Sequence, residues 1–474
     1  MEKLDNSKGG ESGSTANQSS ETDWSGLATA VPFASEQTEI SMTFPETIAK
    51  IAGTDLTVYE RLNASNDKAA KEEFLADPSL IHPKNEYGYL DPAEVTKNLS
   101  TLDEIDRQIA QSSFSEQQKR LLVALGDDCR RKNNFLAATL EYNAATTLEA
   151  KTEAARHHQE ANETLYGKID EATFYSLLKD KLSSIDVDSL SSEDKVKYEK
   201  LLDEIGPLKE MEVERFRPKP ETVHRFAELV NEFFGGFLKH LPEGQETFTG
   251  EDMAKIANEI LSEEFSDEPD IEASGYRAIV SPDVSNASAN HEKRQIIFSD
   301  SKTYSRSQAA GILVHELGTH VMRAIPYLDQ DITAFSTGFP DNETFDEGIA
   351  KCVEQAIQGK YTDSGVDHYI NIGLATFMRK NFREVYEIQS TLNSLLGKSN
   401  KTLLNGVQRC FRGTGELPNN KDLAYYNGAN HVWKYIEEHI DDPALFDHLF
   451  LVGKLDITNP EQERLSYEKR VGKI

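Results

Sequence analysis

The chain has 474 residues, 38% hydrophobic and 28% charged, with 81 Asp and Glu against 51 Lys and Arg. That is the composition of a globular protein of two or three domains, long enough to bury a sizeable core. A formal charge of −30 repels phosphate backbones and anionic bilayers, which excludes nucleic acid and membrane as general partners, and no apolar run reaches the roughly 18 residues of a span.

Residues 1–45 are rich in Ser, Gly, Glu, Asn and Thr. They bury too little apolar surface to offset their ordering entropy and read as a disordered, polar and acidic tail. The opening MEKLDNSKGGESGS lacks the apolar region, about 7–15 residues long, of a secretory signal. Cys129, Cys352 and Cys410 are too scattered for a disulfide framework or a zinc ribbon. A reducing, cytoplasmic location is expected.

From 46 to 215 the pattern is helical. Pro92–Ile109 and Glu116–Cys129 carry apolar residues near i, i+3, i+4 and i+7. Asn134–Glu163 is rich in helix formers with interleaved charge, and His157-His158 within it reads as solvent-facing. Pro218 and Pro220 break the pattern, and a helix is expected over Glu221–Phe234. Phe233–Phe237 with Gly235-Gly236 reads as core plus a turn. A boundary falls near 215, and 216–474 forms the second region. There Tyr276–Val280 and Gln295–Phe298 read as short strands, with a turn or loop at Asp283–Ser288. Helices are expected over Ser307–Ala324 and Asn342–Gln358, separated by a loop with Gly338 and Pro340. The C-terminal third is helical, broken by a polar loop at Gly413–Asn420. His431 and His439 flank a helix around Trp433 and read as packing or surface residues. The fold class is α+β, mainly α.

The chemistry lies in Gly311-Ile-Leu-Val-His315-Glu316-Leu-Gly318-Thr-His320-Val-Met-Arg323. In an HExxH zinc helix the histidines stand at i and i+4 and share a face. Here they stand at i and i+5, about 140° apart on a regular helix. A π-turn with i→i+5 bonding brings residues five apart back to one face, and Gly318 removes crowding inside that turn. The spacing therefore predicts a π-bulge between His315 and His320. A random H-E-x-x-x-H is expected only about 0.03 times at this composition. A third ligand is required for a catalytic zinc. Asp341, Glu343, Asp346 and Glu347 crowd the start of the next helix, where acids also favour the helix dipole, and residue type does not choose among them.

HELGTHVMR followed by STGFPDNETFDEGIA resembles the HEIGTHxxR and (E/Q)EGLA motifs of the tyrosine carboxypeptidase family. That family includes the microtubule-associated tyrosine carboxypeptidases and bacterial relatives with a QEGLA motif. Asn85-Glu86-Tyr87, Leu90-Asp91-Pro92 and Leu165-Tyr166-Gly167 are similar to its N-terminal elements. Arg412-Gly413 and Lys421-Asp422-Leu423-Ala424-Tyr425 with Gly428 are similar to its RG and KDxxYxxG elements. The likeness runs from about 70 to 440. It implies a zincin-like metallopeptidase core with a small sheet and an N-terminal helical region. It implies His315, His320 and Glu347 as ligands of one Zn2+ per chain, and Glu316 as the motif glutamate. Asp346 and Ile349 replace the family's Glu or Gln and Leu.

The implied activity is removal of a C-terminal aromatic residue, Tyr or Phe, from a peptide or protein. Zinc suits a His2Glu site with an open position, and Glu316 beside it can act as general base and acid. Arg412, Lys421 and Arg323 are the candidates for holding the terminal carboxylate, with Arg323 equally suited to a structural ion pair. Tyr425 or Tyr426 could donate to the developing oxyanion. Cys352 reads as a buried apolar residue, not a nucleophile. The charge of −30 argues against microtubules and acidic tubulin tails as partners. The rival readings are a non-catalytic binding protein that keeps the fold, and a zinc endopeptidase.

Overall fold

The computed structural model describes residues 42–470 other than 89, 266–274, 283, 285, 292, 329–333, 340 and 341. The expected tail lies outside the described residues except for its last four. There Thr43 starts the helix Phe44–Ala52 with a capping box to Glu46.

Helices follow at Asp67–Ala76, Pro92–Gln111, Glu116–Ala144, Leu148–Tyr166, Glu171–Ser183 and Ser192–Ile205. Asp91 caps the second of these, with Pro92 in its first turn, and Ser115 caps the third through a box with Gln118. The third runs on past Cys129 to Ala144, so Asn134–Glu163 forms parts of two helices. Thr147 caps the second of them. His158 does not face solvent as its charged surroundings suggested. It is buried, with its ring 5.1 Å from that of Phe135. Its neighbours in sequence are polar, but its own helix face is covered from the far side by another helix.

The second half opens with Pro220–Phe233, close to its expected bounds. Five short strands follow among the described residues. β1 (Thr247–Thr249) pairs antiparallel with β5 (Thr303–Ser305). β2 (Arg277–Ser281) lies parallel to β4 (Gln295–Ser299), and β3 (Ala287–Asn290) lies antiparallel on the other side of β4. The expected loop at Asp283–Ser288 is therefore shorter than predicted. Strand β3 begins at Ala287 and is made of small residues and Asn290, all with little strand propensity, held by its ladder with β4. Asp283 lies outside the described residues.

The largest apolar cluster joins Phe226 and Val230, Ile296 and Phe298 of β4, Leu313, Leu317 and Val321, Phe345 and Ile349, and Val432 with Trp433. A second joins Phe174 and Leu178 to Ile370, Leu374 and Leu423. A third joins Ile48, Leu102 and Leu121 to Phe335, Phe339 and Leu455. Residues on both sides of 215 thus share interior surface. No described helix is long and apolar enough to cross a membrane.

Candidate metal centre

Ser305 starts the decisive helix. Its hydroxyl accepts from the Gln308 backbone N–H, and Gln308 Oε1 accepts from the Ser305 N–H. The chain is α-helical over Arg306–Leu313 and π-helical over Val314–Val321. The Met322 N–H donates to the Leu317 carbonyl, and Thr319 Oγ1 donates to the Val314 carbonyl at 3.4 Å. This is the distortion that the i, i+5 spacing predicts. It brings the rings of His315 and His320 to 5.0 Å between centroids. Gly318 serves packing as well as the turn, since a Cβ there would come within 2.6 Å of Phe234 Cε1.

Each imidazole is backed by a carboxylate. His320 Nδ1 lies 2.7 Å from Asp346 Oδ2, and His315 Nδ1 lies 3.5 Å from Glu354 Oε2. With Nδ1–H facing the carboxylate, each Nε2 keeps its lone pair for a metal. His315 Nε2 stands 3.8 Å from Glu347 Oε2. That oxygen is buried and has no hydrogen-bond partner, a state that costs free energy unless something occupies it. Two donors about 2.1 Å from a tetrahedral ion stand about 3.4 Å apart, so the His315–Glu347 pair lies close to the spacing of two ligands of one ion. Ligand atoms of His315, Glu316 and His320 also lie within 4.8 Å of one another. The donor set fits a zinc-like ion.

The charges around the site are paired. Burial alone would raise the Asp346 carboxyl, but Lys454, His320 and Arg323 hold it well below the usual range. The His320 imidazole is raised despite its burial, because Asp346 lies against it. Lys351 Nζ donates to Glu354 Oε2 at 2.8 Å. Each histidine is thus followed by a carboxylate and then a lysine.

Residues 212–469 match the family model for microtubule-associated tyrosine carboxypeptidase. The chain belongs to this family. The match takes in the histidine pair, Glu347 and the Arg412–Gly428 elements, while the likenesses at 85–92 and 165–167 precede it. No curated protein and no solved structure matches the chain.

Within this tyrosine carboxypeptidase family member the other expected residues fall into different places. Lys421 Nζ is paired with Glu343, which places the end of the polar loop beside the first turn of the Glu347 helix, Asn342–Ile357. Tyr425 lies on the helix Leu423–His439, where burial and the Glu347 charge raise its phenol. Tyr426 turns away and packs on Tyr369, with ring centroids 4.9 Å apart. Arg412 is half-buried in the loop. Arg323 is fully buried (0% exposed), with Nε and Nη2 donating to the Gly453 and Leu455 carbonyls and Nε 3.4 Å from Asp346. It cannot meet a substrate carboxylate and takes the structural role. Cys352 is buried, as expected. Asp341 lies outside the described residues.

Several residues at the site were missed. Glu354 was readable, because it stands seven residues after Glu347 on the same helix face. Asp346 stands out in the sequence as a candidate ligand and a departure from the family motif, not as the partner of His320. Arg409 donates to both Asp422 oxygens at 2.7 and 2.6 Å and to Tyr425 Oη at 3.0 Å, supporting the Tyr425 ring. His291, beyond β3, is bonded to Tyr276 Oη at 2.6 Å, and burial together with Lys454 and His320 pushes its imidazole down. No local pattern marks these last residues.

Proposed function

We propose that this chain is a zinc-dependent carboxypeptidase that removes one C-terminal aromatic residue, Tyr or Phe, from a peptide or protein. The observation that carries the reading is the pairing of His315 and His320 on one face of the π-turn, with the unpartnered buried oxygen of Glu347 3.8 Å from His315 Nε2. His315, His320 and Glu347 would hold the zinc in a zincin-like core. When bound, zinc supplies Lewis acidity, polarising a scissile carbonyl and lowering the pKa of water towards about 7. Glu316, buried beside both imidazoles, takes a proton from the attacking water and passes it to the leaving amine as the C–N bond breaks. Tyr425 would donate to the developing oxyanion. Arg412 and Lys421 would anchor the free carboxylate, which sets cleavage at the chain end. The charge of −30 favours substrates other than acidic tubulin tails.

The test is hydrolysis of a peptide library bearing each C-terminal residue, as free acid and as amide, read by mass spectrometry with zinc quantified. Release of a single Tyr or Phe from free acids alone is expected. Glu316→Gln should keep its zinc and lose about 10²–10⁴ in turnover. Internal cleavage would make the protein an endopeptidase. Bound zinc with no cleavage of any member would favour a binding role.

A further inference from the structure

We infer that Lys454, far from the histidine motif in sequence, is a positioning residue of the metal centre. It acts through Asp346 on His320, and the inference rests on the metal reading above.

Lys454 Nζ donates to Asp346 Oδ2 at 2.8 Å, and the same oxygen stands 2.7 Å from His320 Nδ1. All three side chains are buried. A carboxylate between two such groups cannot swing without leaving a buried charge unpaired, so the imidazole plane is held and Nε2 faces the donors.

The ammonium is aimed by the backbone around it. The carbonyls on either side, of Gly453 and Leu455, accept from Arg323, three residues beyond His320 in the chain. The Lys454 N–H donates to the Phe335 carbonyl at 2.8 Å, and its own carbonyl accepts from the Phe339 N–H at 3.1 Å. Residues 453–455 therefore grip the segment that bears His320 twice. One grip runs through backbone carbonyls to Arg323, and the other through the lysine side chain and Asp346 to His320. A lysine needed only for fold stability would not require this alignment with the Nδ1 side of one histidine.

The test measures the zinc dissociation constant of the full chain by competition with a chromogenic chelator, alongside thermal melts of the zinc-free protein. Lys454→Met is expected to weaken zinc binding 10–100-fold, and Lys454→Arg to recover most of the loss. Asp346→Asn keeps the volume of the site and is expected to weaken binding to the same degree. It decides the matter if Lys454→Met does not fold. Lowered melting temperatures with zinc affinity unchanged would overturn the inference and leave a purely structural lysine. Wild-type protein that takes up no zinc would overturn the metal reading and this inference together, whereas tight wild-type binding with equal binding by the variants would overturn this inference alone.

Discussion

Gly348 and Gly428 meet backbone to backbone. A Cβ on Gly348 would lie 2.4 Å from the Gly428 carbonyl oxygen, and one on Gly428 would lie 2.0 Å from the Thr344 carbonyl oxygen. The helices that carry Glu347 and Tyr425 cross at this point, and no flexible side chain can give way. The glycine after Glu347 and the glycine after Tyr425, two separate family elements, are thus one contact.

Gly348→Ala should push these helices apart, at a cost of about 1–3 kcal/mol. Because Glu347 is the adjacent residue, zinc affinity should fall with stability. Urea melts and zinc titration of the variant check this. Wild-type affinity in a destabilised variant would separate the crossing from the ligand position.

Gly318→Ala should also destabilise, through Phe234 rather than through the π-turn alone. The double variant Gly318→Ala with Phe234→Leu should recover part of the loss, because the smaller side chain vacates the space. A double-mutant cycle measures the coupling, expected at about 0.5–3 kcal/mol. Strict additivity would assign the cost to the turn.

His158 makes an acid-sensitive joint. Its Nε2 has no partner, and burial holds the imidazole down to about 4 from an ordinary 6.5. Between these values the unfolded chain takes the proton and the folded chain does not. Stability therefore falls as pH drops from about 6.5 to about 4, by on the order of 3 kcal/mol. His158→Phe should gain on the wild type over that window and not above it. Parallel stability curves from pH 7 to 4.5 would contradict the assignment.

Asp422→Asn leaves Arg409 without its charged partner and should cost about 2–4 kcal/mol. The Tyr425 ring loses its support with it. Melts report the first effect, and turnover per folded molecule reports the second.

The candidate site was legible where its residues lie within one or two helical turns. The i, i+5 histidine spacing implies the π-turn that the structure shows, and only the resemblance singles out Glu347 among four carboxylates. Lys454 was invisible because it lies 108 residues beyond Asp346 and nothing local marks it. Strand β3 was hidden because Ala287–Asn290 owes its conformation to β4. His158 was misread because its helix face is judged by a partner helix, not by the charges beside it. The polar composition of Gly413–Asn420, beside Arg412, does not reveal its anchoring, in which Asn143 donates to the Gly413 carbonyl and Asn162 to the Pro418 carbonyl. Helices from the first half therefore hold the proposed anchor in place.

The cluster around Phe174 has a consequence for how the chain is made. Its first half, on Glu171–Ser183 and Ser192–Ile205, is synthesised well before Ile370 and Leu374 can cover it. At ribosomal speed that interval lasts about 10–30 s. For that time a face of aromatic and leucine side chains waits without its cover, so the growing chain exposes a sticky apolar surface throughout that interval.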